Sequence, residues 1–435
     1  MSANAPLVVR DIRAEENTAG IRLSARLHTT GLELPSTMWF QYPSNLAPLI
    51  VPNGDPFFPV ALLAAMRHNR PLVIESAVSS KLLAAAPRII GHYEVRQPGA
   101  PTFRGIDVVA DSEPRQDRGR AAGAFFSGGV DSFYMLLGNV ARYPGEDSRA
   151  ISHLLLVHGF DIPLTDQRLF EGVRCQADVV AQALGKTLVL VRTNVREVLR
   201  DMDWSHHAVG PALASVGLSL GRVFHTIFIA SGEAFEELRG FATGCHPGLD
   251  PLWSTETLEF VHAGAEARKG DKIGLIASSP LALRTLRVCW ENPGGAYNCG
   301  HCEKCLATMV LLDLHGVLGE AGHLPHQLDL AEIQDMTLTV GRYRRTKWFD
   351  ILARVKAAGG RPELVEAIEI ALAHGAWQAS RLGRLDARVR RGLDKIGLGS
   401  ARLRGLDQAI LGGLVTRLLR AGRRSLYMGR VSRRQ

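Results

Sequence analysis

Residues 123–140 read GAFFSGGVDSFYMLLGNV, and this stretch decides the fold. Gly123–Phe126 is a short apolar run that suits a buried strand, and Phe133–Val140 suits a helix. Between them stands Ser127-Gly128-Gly129-Val130-Asp131-Ser132. Two glycines without Cβ atoms let the backbone curl and approach an anion closely. The helix that follows aims free N–H groups and the positive end of its dipole at the same point. Ser127 and Ser132 add hydroxyl donors, and Asp131 can position Mg²⁺ or orient the loop. The pattern is that of a phosphate-binding loop. It lacks the lysine of the Gly-x4-Gly-Lys-Ser/Thr loop, so a different nucleotide geometry is expected.

Outward from the loop, strand and helix signals alternate. His153–His158 and Thr187–Arg192 read as strands, with a helix over Gln167–Leu184 between them. A helix over Ala212–Arg222 and a strand at Thr226–Ala230 follow. This order predicts an α/β fold with a doubly wound, mainly parallel sheet covered on both faces. Such sheets bind ligands at the carboxyl ends of their strands, where Ser127 would sit.

A length of 435 residues suggests two or three domains, and the pattern along the chain divides it into three. Residues 1–112 read as an N-terminal α/β accessory domain. It has strands at Ile21–His28, Leu72–Ile74 and Ile106–Ala110 and a helix over Pro56–Met66. Ser112–Arg120 (SEPRQDRGR) reads as a linker. Residues 121–320 form the phosphate-loop domain. Residues 325–435 form a helical extension in which Leu364, Val365, Ile368 and Leu372 share one face. The segment Arg381–Gln435 holds 15 Lys/Arg and 3 Asp/Glu, a balance of +12 within a chain of net +8. The body is therefore mildly acidic and the tail basic. A solvated helical face, a polyanion, an acidic protein partner or an anionic membrane surface would each suit that tail. Met1–Asn17 has no apolar segment of the signal-peptide kind, and no run reaches the ~18 apolar residues of a spanning helix. A cytoplasmic protein is expected.

Four of the six cysteines follow the spacing Cys289-x9-Cys299-x2-Cys302-x2-Cys305. Four thiolates so placed suit tetrahedral Zn²⁺ in a closed, structural site. His301 could replace one of them, and redox chemistry of the C-x-x-C pairs is a further alternative.

The Ser-Gly-Gly-Val-Asp-Ser loop resembles the signature of the PP-loop ATP pyrophosphatases. With the cysteine spacing about 160 residues later, residues 121–315 resemble 7-cyano-7-deazaguanine synthase, which uses ATP and ammonia and carries zinc. The resemblance implies that the loop, Ser127 to Ser132, holds the β- and γ-phosphates of ATP. A substrate oxygen attacks the α-phosphorus, and a second nucleophile then displaces AMP. Arg222, after a helix and before an apolar strand, could contact the phosphates or cap that helix, and Lys269, with Arg268 and Lys272 competing for the role, could neutralise the leaving pyrophosphate. His246 and Asp250, in the segment His246–Pro251, would meet substrate. That segment shares only its prolines and polarity with the family's substrate segment. The expected reaction is adenylylation of a carboxylate or amide oxygen, on a small molecule or a protein, followed by attack of ammonia or an amine. A homodimer is compatible with this reading. The alternatives are a sulfurtransferase, which needs a catalytic cysteine such as Cys175 or Cys245, and a non-catalytic nucleotide-binding module.

Overall fold

A computed structural model describes residues 5–95, 102–144, 147–238, 243–336, 338, 342–359 and 361–378. The basic segment Arg381–Gln435 lies outside them. The chain forms two compact units. One runs to Cys299 and takes in Glu320–Leu324; the other holds Gly300–Gly319 and the chain from Pro325 onward.

The first unit opens with β1 (Leu7–Asn17), β2 (Gly20–His28), β3 (Thr37–Tyr42), α1 (Phe58–His68), β4 (Leu72–Ser79), α2 (Ser80–Glu94) and β5 (Val108–Glu113). It continues with β6 (Ala121–Phe125), α3 (Val130–Arg142), β7 (His153–His158), α4 (Gln167–Ala183), β8 (Thr187–Thr193) and α5 (Val195–Val198). Then come α6 (Val209–Ser219), β9 (Phe224–Ala230), α7 (Phe235–Leu238), β10 (Glu259–Ala263), α8 (Lys269–Ala277) and α9 (Pro280–Thr285). Among the described residues, all ten strands belong to one sheet, ordered β10-β9-β6-β7-β8-β3-β2-β1-β4-β5. The five strands β10, β9, β6, β7 and β8 are parallel neighbours. From β6 the chain steps outward to β7 and β8, then returns to β9 on the other flank. The order of connection reverses between β6 and β9, which is where a doubly wound sheet opens a binding crevice.

Residues 1–112 do not stand apart from this sheet. β3 pairs antiparallel with β8 through Phe40↔Thr193 and Gln41↔Arg192. Asn194 prolongs the seam with its side chain, accepting from Trp39 N at 3.0 Å and donating to Thr37 O at 2.9 Å. The alternation in β2 puts Ile21, Leu23, Ala25 and Leu27 into the core, as the sequence pattern predicts. What that pattern lacks is any mark of the strand's distant partners. The expected linker begins as the last residues of β5, and Arg115 in it makes a two-pronged ion pair with Asp55 at 2.7 and 3.0 Å.

The sheet curls. Glu256, just before the edge strand β10, accepts from Ser79 Oγ (2.9 Å), Lys81 N (2.8 Å) and Arg115 N (3.0 Å), which belong to the opposite edge. Helices α1 and α6 are buried on nearly every side, as apolar helices enclosed by a protein interior must be. A Cβ on Gly210 of α6 would fall 1.5 Å from Gly244 O, so only glycine lets residues 243–246 lie against that helix. Gly217 packs on the face that carries Phe260 and Ile227.

The second unit contains α10 (Glu303–Leu314), α11 (Leu330–Asp335), α12 (Arg342–Ala357) and α13 (Pro362–Gln378). On α13, Leu364, Ala367, Ile368, Ala371 and Leu372 are buried while Val365 is half-buried. The buried face is thus the expected one, centred a little away from Val365. Trp348 is fully enclosed and donates through Nε1 to Glu303 at 2.8 Å. No helix among the described residues is long and apolar enough to cross a membrane.

Candidate functional site

The loop Ser127–Ser132 leaves the carboxyl end of β6 and enters α3 at the reversal point between β6 and β9. Gly128 has φ +73°, a left-handed turn that favours glycine. Gly129 caps α3, and a Cβ on it would lie 3.3 Å from Arg287 O. Ser127 Oγ accepts from Gly129 N at 3.3 Å, and Ser132 Oγ donates to Gly129 O at 3.0 Å. The loop is thus wound on itself at the start of a 13-residue helix, a geometry suited to an anion.

Cations converge on it. Lys269, the first residue of α8, reaches Asp131 at 2.7 and 2.8 Å. Lys272, one helical turn on, donates to Asp131 at 3.0 Å and to Ser231 O at 2.6 Å. Its side chain is 1 % exposed. Burial opposes ionisation of Asp131, yet the two lysines outweigh it and hold the carboxyl below its usual range. Arg268 is drawn off by Glu236 at 3.1 Å. Of the three basic residues, Lys269 and Lys272 therefore reach the loop. Arg287, which the sequence reading missed, is buried and meets the loop through its backbone, its main-chain N–H donating to Gly128 O at 2.8 Å while its guanidinium donates to Asn292. Glu233, also missed, has a carboxyl pushed up by burial and by the charge of Asp131. Only the spacing of Lys272 from Lys269 offered a signal for any of these.

Arg222 is placed elsewhere. It precedes β9, whose Phe224 aligns with Ala121 at the amino end of β6. The Ser127–Ser132 loop lies at the other end, roughly 20 Å away at strand rise. Arg222 is 44 % exposed and pairs with Asp117. The expectation that it contacts the phosphates is corrected by the parallel sense of the two strands.

The segment His246–Pro251 lies beside the carboxyl end of β10, but Asp250 is 0 % exposed. Its Oδ2 lies 2.7 Å from His262 Nδ1 and its Oδ1 accepts from His246 N at 3.3 Å. Asp250 is therefore part of the wall behind the surface. His246 is half-buried, its ring 5.2 Å from that of His92 on α2, and burial lowers the pKa of both. Cys245 is half-buried and its thiol is pushed well up by desolvation, which disfavours a thiolate. Cys175 lies exposed on α4.

A cavity of about 1300 Å³ opens at the carboxyl ends of β7 and β8, lined by residues that include Phe160, Asp161, Asn194, Arg196, Trp290 and Asn292. Asn292 ties it to the loop, donating to Asp161 O at 3.0 Å and accepting from Arg287 at 2.8 Å.

The sulfurs of Cys289, Cys299, Cys302 and Cys305 all lie within 4.8 Å of one another. Tetrahedral Zn²⁺ with bonds of ~2.3 Å sets its sulfurs about 3.8 Å apart, so a small contraction gives the coordinated form. Asn298 Oδ1 accepts from Val288 N (2.8 Å) and Cys289 N (3.1 Å), bracing the first turn. Gly300 has φ +79°, the left-handed turn that the sequence pattern requires. His301 is 69 % exposed and pairs with Glu332 at 2.7 Å, outside the sulfur group. The four cysteines could hold a metal ion such as zinc.

Comparison of the chain with protein-family models, with curated proteins and with solved structures returns no match.

Proposed function

We propose that this chain is an ATP pyrophosphatase-type ligase. In this reading it adenylylates a carboxylate or amide oxygen on a small molecule or a protein, releases pyrophosphate, and lets ammonia or an amine displace AMP. One observation carries the reading: a double-glycine loop at the reversal point of a parallel sheet, with Lys269 and Lys272 converging on its aspartate. The first-turn N–H groups of α3 and the Ser127 and Ser132 hydroxyls would hold the β- and γ-phosphates. Asp131 would exchange part of its lysine contact for Mg²⁺. Lys269 would then face the leaving pyrophosphate, where a fixed positive charge lowers the barrier most. The open cavity at the carboxyl ends of β7 and β8, linked to the loop through Asn292 and Arg287, offers a place for an acceptor. Zinc at the four cysteines would brace the turn that presents Arg287 to the loop. No open ligand position remains for it to act on substrate. The sulfurtransferase alternative finds less support, since the half-buried Cys245 has its thiol pushed up by desolvation.

The test is product analysis with the full chain, Mg²⁺, ATP labelled in the α- and γ-phosphates, ammonium and 7-carboxy-7-deazaguanine as a first acceptor. AMP and pyrophosphate are expected, with Lys269→Ala lowering the rate by about 10²–10³-fold. Formation of ADP and phosphate, or tight ATP binding without pyrophosphate release from any carboxylate acceptor, would refute the ligase reading. The latter result would favour a nucleotide-binding module.

A further inference from the structure

The guanidinium of Arg287 carries a charge to which the reaction above gives no task. The side chain starts at the loop, where a Cβ on Gly128 would lie 3.7 Å from Arg287 Cβ. It ends at the cavity wall, where Nη2 donates to Asn292 Oδ1 at 2.8 Å. The residue is 5 % exposed, and its Nε is buried with no hydrogen-bond partner. Among the described residues no carboxylate pairs with it. The other polar side-chain group close to Gly128, Tyr297 Oη, is committed as a donor to Thr285 O at 2.9 Å. A buried guanidinium answered only by a neutral amide is costly, because no opposite charge offsets its lost hydration. A buried polar group so poorly matched calls for a reason, and an anionic ligand is one.

One side chain separates this guanidinium from the cavity. Asn292 lines the cavity and is half-buried, between the exposed residues Glu291 and Pro293. Its backbone is left-handed, φ 47°, at the start of the turn Pro293–Gly295. An anionic oxygen in place of its Oδ1 would form a charge-assisted bond, roughly twice as strong as the neutral one. The arginines of the cavity wall are already committed to main-chain carbonyls, Arg196 to Phe160 O and Arg200 to Glu33 O. The carboxylates of that wall, Asp161, Glu197 and Glu291 among them, disfavour an anion inside the cavity and leave its neck, at Arg287, as the place for one.

We propose that Arg287 binds the α-phosphate of the nucleotide, with Asn292 Oδ1 as the acceptor that the phosphate displaces. This inference rests on the ligase reading above. With the β- and γ-phosphates at the loop, a nucleotide running toward the cavity brings its α-phosphate to the guanidinium. The Asn292 amide turns aside, and a non-bridging α-oxygen accepts from Arg287 in its place. The acceptor oxygen then attacks the α-phosphorus; the new P–O bond forms, and the bond to the pyrophosphate oxygen breaks with its electron pair leaving on pyrophosphate. No proton moves onto or off Arg287. Its fixed charge stabilises the negative charge that gathers on the α-oxygens.

The test is calorimetry on the full chain with Mg²⁺ and two probes. One is α,β-methylene-ATP, which cannot release pyrophosphate; the other is inorganic pyrophosphate, which has no α-phosphate. Arg287→Met is expected to weaken the nucleotide analogue by about 10–100-fold and to leave pyrophosphate within about twofold. Met keeps the bulk of the side chain and removes the uncompensated charge, so the melting temperature is expected to hold or rise. Asn292→Asp supplies a carboxylate to Arg287, and is expected to weaken the analogue while raising the melting temperature. Undiminished affinity of Arg287→Met for the analogue, or equal losses for both probes, overturns the proposal. So does a weakened analogue accompanied by a fall in melting temperature in both variants, which marks Arg287 as a structural residue. Absence of pyrophosphate release from ATP with every acceptor, while analogue binding still depends on Arg287, dismisses the ligase reading and leaves the α-phosphate site standing. A wild-type chain that binds neither probe overturns both.

Discussion

Asp131→Ala tests the charge arrangement of the loop without any substrate. Lys272 is 1 % exposed, and its ammonium has two acceptors, Asp131 at 3.0 Å and Ser231 O at 2.6 Å. Removing Asp131 leaves that buried charge with a single carbonyl. Breaking a buried pair from one side costs about 3–5 kcal/mol. Lys269 is 20 % exposed and can turn to water, so its loss of Asp131 adds only about 0–1 kcal/mol. The double variant Asp131→Ala/Lys272→Met removes the orphaned charge and is expected to recover about 1–3 kcal/mol of the loss. Urea denaturation near pH 7.5, followed by fluorescence across the four-protein cycle, reads both quantities. A loss below about 1 kcal/mol for Asp131→Ala, or strict additivity in the cycle, would refute the reasoning. The pH dependence has a definite sign. Asp131 has a carboxyl held below its usual value, so its contribution is complete above that value and is lost as pH falls through the lower folded one. The gap between wild type and variant therefore stays constant near neutrality and closes only in strong acid, below about pH 4.

Two further outcomes probe separate parts of the molecule. Purified chain is expected to carry one zinc per molecule by elemental analysis, and Cys305→Ser to lose it with a lowered melting temperature; a metal-free wild type with unchanged melting under chelator would dismiss the site. Arg222→Ala is expected to leave ATP affinity and stability within about 0.5 kcal/mol, since its exposed side chain pairs with Asp117 at the far end of the sheet; a tenfold loss of nucleotide affinity by calorimetry would restore it to the phosphate site.

Features set by near neighbours in sequence were readable before folding. Gly128 and Gly129 announce a tight turn between a strand and a helix, and the structure has that turn with Gly128 at positive φ. The cysteine spacing announces a four-sulfur group, and the sulfurs do gather. The strands at His153–His158, Thr187–Thr193 and Phe224–Ala230 follow from short apolar runs. β10 escaped notice because five residues, mixed in polarity, carry little periodic signal. His262 was missed along with it.

The sequence alone determined the loop, its helix, the cysteine turn and the alternation of strands and helices around Ser127. Each depends on backbone conformations or periodicities that span fewer than about twenty residues. Tertiary structure alone decided which side chains share a site. It brought Lys272 and Arg287 to the loop, sent Arg222 to the opposite end, buried Asp250 against His262, and joined β3 to β8 so that residues 1–112 became part of the same sheet. Those meetings bring together groups as far apart as Thr37 and Asn194 in the chain. They depend on strand order, strand sense and the curl of the sheet, and no local stretch of sequence encodes any of the three.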